Sequence, residues 1–150
     1  MDELKQQLYT LCGEYLANKE SVIKSLMNDA QDAANEDTKS SAGDKYETGR
    51  EVMQQEVELN RTRLNELNKF KLALEMIKAD QKNDTAIPGA LVQTNNGSYY
   101  IAISAGQLKQ NGNTYYSISI ESPIGAKMRG LKRGEHFMLN GRDFIIENIS

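Results

Sequence analysis

Residues 35–51 read NEDTKSSAGDKYETGRE, and the fold turns on what this stretch separates. Within it apolar periodicity stops and small polar residues take over, as in a turn. Upstream, Leu4, Leu8, Leu11 and Tyr15 recur at helical spacing, and Val22 and Leu26 resume the stripe. Downstream, a second seam runs through Met53, Val57, Leu64, Leu67, Leu74 and Ile77, interrupted by Asn60 and Lys71. Both seams have charged flanks and contain no proline, which predicts two long helices joined at a polar tip. Each arm runs for roughly thirty residues, about 45–50 Å of helix. With no further helices to cover them, the arms read as an antiparallel coiled coil over residues 1–78.

At the tip, Asp44 and Glu47 form a D-x-x-E pair that admits two readings. As a capping box, Asp44 accepts the Glu47 amide and Glu47 reaches back, with both charges favoured by the positive end of the helix dipole. As a functional pair, two carboxylates on a probe supply part of the shell of a hard divalent cation. Mg²⁺ takes few protein carboxylates and keeps water or substrate oxygens as its other ligands.

Moving outward along the chain, residues 79–87 are polar and aperiodic and read as a linker. Residues 88–150 change character. Both prolines lie there, along with most of the glycine, and runs at 90–92, 98–103 and 115–120 look like strands, the last two with apolar–polar alternation. Ser122-Pro123 gives an N-cap followed by proline at the first helical position, and Gly130 closes that short helix. Asn140-Gly141 is the strongest short hairpin signal in the sequence. The expectation is an α+β chain: a helical hairpin, then a small, mostly antiparallel sheet with one short helix.

Composition limits what such a chain does. Of its 150 residues, 39% are apolar and 26% charged, with 7% aromatic and no Trp, so no single core is large. Cys12 is the only cysteine, which excludes an intrachain disulfide and makes it a small apolar helix residue. The N-terminus begins acidic and lacks a long apolar run, so it reads as neither signal peptide nor membrane span, and a cytoplasmic setting follows. The net charge of −3 divides into −4 up to Lys78 and +1 beyond it, which argues against nucleic-acid binding driven by bulk charge. Lys127, Arg129, Lys132 and Arg133 cluster around the short helix and suit either a solvated face or an acidic partner. His136, the only histidine, has no nucleophile placed to use it and reads as an ordinary strand-end residue. No P-loop, GxSxG, HExxH or paired CxxC occurs, so the chain does not read as a stand-alone enzyme.

The segment SPIGAKMRGLKRGE (residues 122–135), followed by a Gly-containing hairpin and a terminal apolar strand, resembles the C-terminal domain of the Gre family of bacterial transcript-cleavage factors. The long hairpin with Gly43, Asp44 and Glu47 at its tip fits the family's G-D-x-x-E, and the resemblance covers nearly the whole chain in order and length. It implies an FKBP-like domain that docks on RNA polymerase, with Ser122, Pro123, Ile124 and Gly125 at the docking surface. It also implies a hairpin inserted into the polymerase secondary channel. There Asp44 and Glu47 would share an Mg²⁺ with the polymerase active centre and stimulate its cleavage of backtracked RNA, acting on the nascent 3′ end. The implied factor is a cytoplasmic monomer with no membrane partner. The family usually continues the tip as E-N-A-E-Y, whereas this chain has Glu47, Thr48, Gly49, Arg50 and Glu51. That departure leaves open a regulator of the same shape that occupies the channel without cleaving. A prolyl isomerase drawing on Tyr99, Tyr100, Tyr115, Tyr116, Phe137 and Phe144 is a reading from another class. A prefoldin-like chaperone arm is disfavoured by the polar tip.

Overall fold

The computed structural model describes the backbone of residues 2–39 and 43–150, and the side chains of 3–33 and 49–150. Two helices, α1 (Asp2–Lys39) and α2 (Gly43–Glu75), precede six strands and one short helix. The strands are β1 (Leu91–Thr94), β2 (Gly97–Ile101), β3 (Gly106–Gln110), β4 (Asn113–Ile118), β5 (His136–Leu139) and β6 (Arg142–Ile149), and α3 (Pro123–Met128) lies between β4 and β5. The architecture is α+β, as expected. Among the described residues no helix is long and apolar enough to cross a membrane.

The chain divides into two compact units, one of residues 16–70 and one of residues 1–15 with 71–150. In the first unit, α2 buries Val57, Asn60 and Leu67 and half-buries Met53 and Leu64. Steps of four and three are the heptad rhythm of a helical seam. The predicted α2 seam is therefore the observed one, and Asn60, read as an interruption, occupies a seam position. Its Nδ2 donates to the Glu56 carbonyl at 3.0 Å and its Oδ1 accepts from Arg63 at 3.3 Å, so the buried amide is satisfied by its own helix.

The α1 seam follows expectation through Leu4, Leu8, Leu11 and Tyr15, which are buried or half-buried, and departs from it beyond them. Val22 is 59% exposed and Leu26 46%, while burial follows Leu8, Cys12 and Leu16 and continues, half-buried, through Glu20, Ile23 and Met27. Beyond Tyr15, helix α1 carries two apolar stripes, Val22/Leu26 and Ile23/Met27. Both have helical spacing, so periodicity alone does not say which one turns inward.

In the second unit the six strands form one sheet in the order β3-β4-β2-β1-β6-β5. Every pairing is antiparallel except β2 with β4. The β3–β4 hairpin went unread because GQLKQ holds a single apolar residue, Leu108, which leaves alternation nothing to register. Its turn is Asn111-Gly112, with φ of 53° and 79°, the same chemistry as Asn140-Gly141 in the β5–β6 hairpin, at 52° and 78°. Two consecutive residues at positive φ suit the tight turn whose twist matches that of the strands.

Alternation gives the sheet two apolar faces. One buries Val92, Ile101, Phe137, Phe144 and Ile146 with Ala86, Ala90 and Met128, the last contributed by α3. The run 79–87 thus ends inside this core: Ala86 N donates to Leu131 O at 2.9 Å, and Gly130 N donates to Ala86 O at 2.9 Å. The opposite face receives the start of α1. Tyr100 and Ser117, paired across β2 and β4, are buried there, and Cys12 Sγ lies 3.3 Å from Ser117 Oγ. Ser117 Oγ donates to Ile103 O at 2.5 Å, so the thiol is the donor in the Cys12–Ser117 contact. Lys5 Nζ donates to Gln81 O, and Tyr9 OH donates to Leu74 O at 3.0 Å, fastening the same segment to the end of α2 and the chain beyond it.

Candidate functional site

The sequence directs attention to the opening of α2 and to α3. Helix α2 begins at Gly43, which sets the Asp44-x-x-Glu47 spacing in its first turns. The side chains of Asp44 and Glu47 lie outside the described residues, so neither the cap nor a cation contact is assigned to them. Among the described residues no cluster of three or more His, Cys, Asp or Glu side chains converges on a point.

Around α3 the geometry is explicit. Ser122 caps the helix from an extended backbone (φ −65°, ψ 161°), and its Oγ accepts the Gly125 amide at 3.1 Å. The same hydroxyl donates to Ser119 O at 2.6 Å, so both of its capacities tie the helix start to the turn after β4. Pro123 follows at the first helical position, where its missing N–H costs nothing, and it stands exposed. Ile124 is half-buried against the core. Gly125 is buried at a contact only glycine allows: a Cβ there would sit 2.2 Å from Ser119 O and 2.9 Å from Ile120 Cα. Gly130, at φ 78°, ends the element after the Arg129 C-cap, as predicted. Sequence reasoning missed Ser119, the residue that receives this cap. The two serines three apart (S-I-E-S) were the available signal, since a hydroxyl three residues past a carbonyl closes a local turn.

Lys127, Arg129, Lys132 and Arg133 are all exposed. Glu135 Oε1 accepts the Lys132 amide at 3.1 Å and so shapes the loop between α3 and β5. His136 is exposed on β5 with Nδ1 3.3 Å from Asp143 Oδ1 on β6, a cross-strand surface pair. No family model matches the chain, and no curated protein matches it in sequence.

The aromatics divide by face. Phe137 stacks on Phe144 at 4.8 Å and 5°, Phe144 meets Tyr99 edge-on at 6.3 Å, and Tyr99 stacks on Tyr116 at 5.5 Å. These four rings satisfy one another in a row across the α3 side of the sheet. Tyr100 is wholly buried on the other side, and its hydroxyl has no hydrogen-bond partner among the described residues. Burial, then the neighbouring Cys12 and Tyr9, push its phenol well above the ordinary tyrosine range. Burial likewise raises the Cys12 thiol. A wholly buried thiol held in this way is a packing group rather than a nucleophile.

Proposed function

We propose that this chain is a Gre-type transcription elongation factor. In this reading it binds RNA polymerase, places a coiled-coil hairpin in the secondary channel and stimulates Mg²⁺-dependent cleavage of backtracked RNA. The observation that carries the reading is the order of parts. A long helix leads to a second one opening on Gly43-Asp44-x-x-Glu47, and a sheet unit follows whose one short helix is built on Ser122-Pro123-Ile124-Gly125. The heptad burial along α2 supports the coiled coil, and a mostly antiparallel sheet covered by a single short helix supports an FKBP-like unit. In this role Asp44 and Glu47 complete a coordination shell that the polymerase begins, and a second cation there would lower the pKa of the attacking water. The factor works as a cytoplasmic monomer on the polymerase's own active centre rather than as an enzyme in itself. Ser122 to Gly125 then serve as scaffold for docking, with Pro123 the member exposed to a partner.

A second reading is favoured by one observation: Thr48-Gly49-Arg50-Glu51 stands where the family carries its Asn and aromatic. On that reading the chain occupies the channel without cleaving. RNA cleavage in a purified backtracked elongation complex separates the two, comparing wild type with the Asp44→Ala, Glu47→Ala double variant. Stimulation lost in the variant is the expected result. Polymerase binding without any stimulation would leave only the second reading.

A further inference from the structure

From the charge distribution around α3 we infer that the chain docks through a basic face onto an acidic protein surface. Lys127, Arg129, Lys132 and Arg133 fall within seven residues that contain no carboxylate, in a chain whose net charge is −3, so the rest of the molecule carries −7. All four are exposed, and among the described residues none of the four side chains makes an ion pair or a hydrogen bond. The flanking carboxylates offset them only in part: Glu121 forms no ion pair among the described residues, Glu135 accepts the Lys132 amide, and the four cations less these two charges leave residues 121–135 at +2. Four like charges held together on a capped, glycine-locked helix and its loop repel one another. An acidic partner removes that repulsion and steers encounter.

Two observations favour protein over nucleic acid. The same segment exposes Pro123, an apolar group at the helix start beside the charged residues, and apolar contact alongside charge is what a protein partner uses. It carries no aromatic side chain to stack on bases, and the acidic remainder of the chain repels a phosphate backbone. The inference rests on α3 being the docking element of the reading above and adds the chemistry of what it meets.

The test measures binding of the full chain to RNA polymerase core enzyme, to a helical peptide with glutamates flanking a leucine stripe, and to a short duplex DNA. Each is run at about 50 and about 200 mM salt, a range over which screening of exposed charges strengthens markedly. One variant carries Lys127→Gln, Arg129→Gln, Lys132→Gln and Arg133→Gln. A second exchanges lysine and arginine at the same positions (Lys127→Arg, Arg129→Lys, Lys132→Arg, Arg133→Lys). The expected result is a loss of about tenfold or more in polymerase and peptide affinity for the neutralised variant, with a flattened salt dependence, while the exchanged variant binds as wild type. Unchanged polymerase binding by the neutralised variant would overturn the inference and leave the docking reading intact. Patch-dependent peptide binding with no polymerase binding would support the inference and sink the polymerase reading. Patch-dependent binding of DNA in place of the peptide, or no binding to any of the three, would overturn it.

Discussion

Gly125 and Tyr100 show how single atoms decide this fold. Adding one methyl group at Gly125 drives it into Ser119 O at 2.2 Å, a backbone atom with nowhere to retreat. Gly125→Ala is expected to destabilise the sheet unit by about 3 kcal/mol or more, outweighing the usual gain in helix propensity, as read from urea unfolding. Ser122→Ala removes both the cap and the bond to Ser119 and should cost about 1–2 kcal/mol. Tyr100→Phe deletes a buried hydroxyl with no partner among the described residues and is expected to stabilise by roughly 1 kcal/mol. The Ser-Pro cap is legible in sequence because capping is local. The need for glycine at 125 is not, since it depends on where the chain before α3 returns. Tyr100 and Tyr99 look alike in sequence, and only the pleat decides that one is sealed and the other joins the aromatic row.

Among the elements, the α2 seam was readable throughout and the α1 seam only as far as Tyr15, because beyond it Val22/Leu26 and Ile23/Met27 offer two stripes of equal helical spacing. The correction is testable by truncation. Val22→Ala and Leu26→Ala should each change stability by less than about 0.5 kcal/mol. Leu16→Ala, at 3% exposure, should cost about 2–5 kcal/mol in the same urea titration. The β3–β4 hairpin was hidden because a half-polar edge strand carries little alternation, although Asn111-Gly112 marked its turn as plainly as Asn140-Gly141 marked the other. The tip is legible as a pattern only: a D-x-x-E spacing is common to helix caps and to cation ligands.

Across the whole molecule, the first fifteen residues belong to the same compact unit as the sheet, a pairing no local signal announces. Its chemistry is pH-dependent with a definite sign. Cys12 and Tyr100 both have folded-state pKa values raised by burial, so the folded state holds these protons longer than the unfolded chain does. The stability they contribute is complete below the unfolded thiol pKa of about 8.5 and falls as pH rises past it, with the phenol adding to the fall above about 10. Urea midpoints measured on either side of that range should drop for wild type and drop less for Cys12→Ala combined with Tyr100→Phe. Leu8→Ala, fully buried in this unit, should weaken hydrogen-exchange protection along β2 and β4 if α1 is an integral part of the sheet's core.

Strand β1 lies between β2 and β6, with Val92 opposite Ile149. On the ribosome, β2 is available at once, but the second neighbour emerges only after 57 more residues, roughly 3–11 s at ordinary elongation rates. During that interval β1 presents an open, apolar edge to every other nascent chain nearby. Slowing or stalling translation before β6 therefore exposes the newborn protein to misassociation, and the speed of its own synthesis becomes a determinant of its yield.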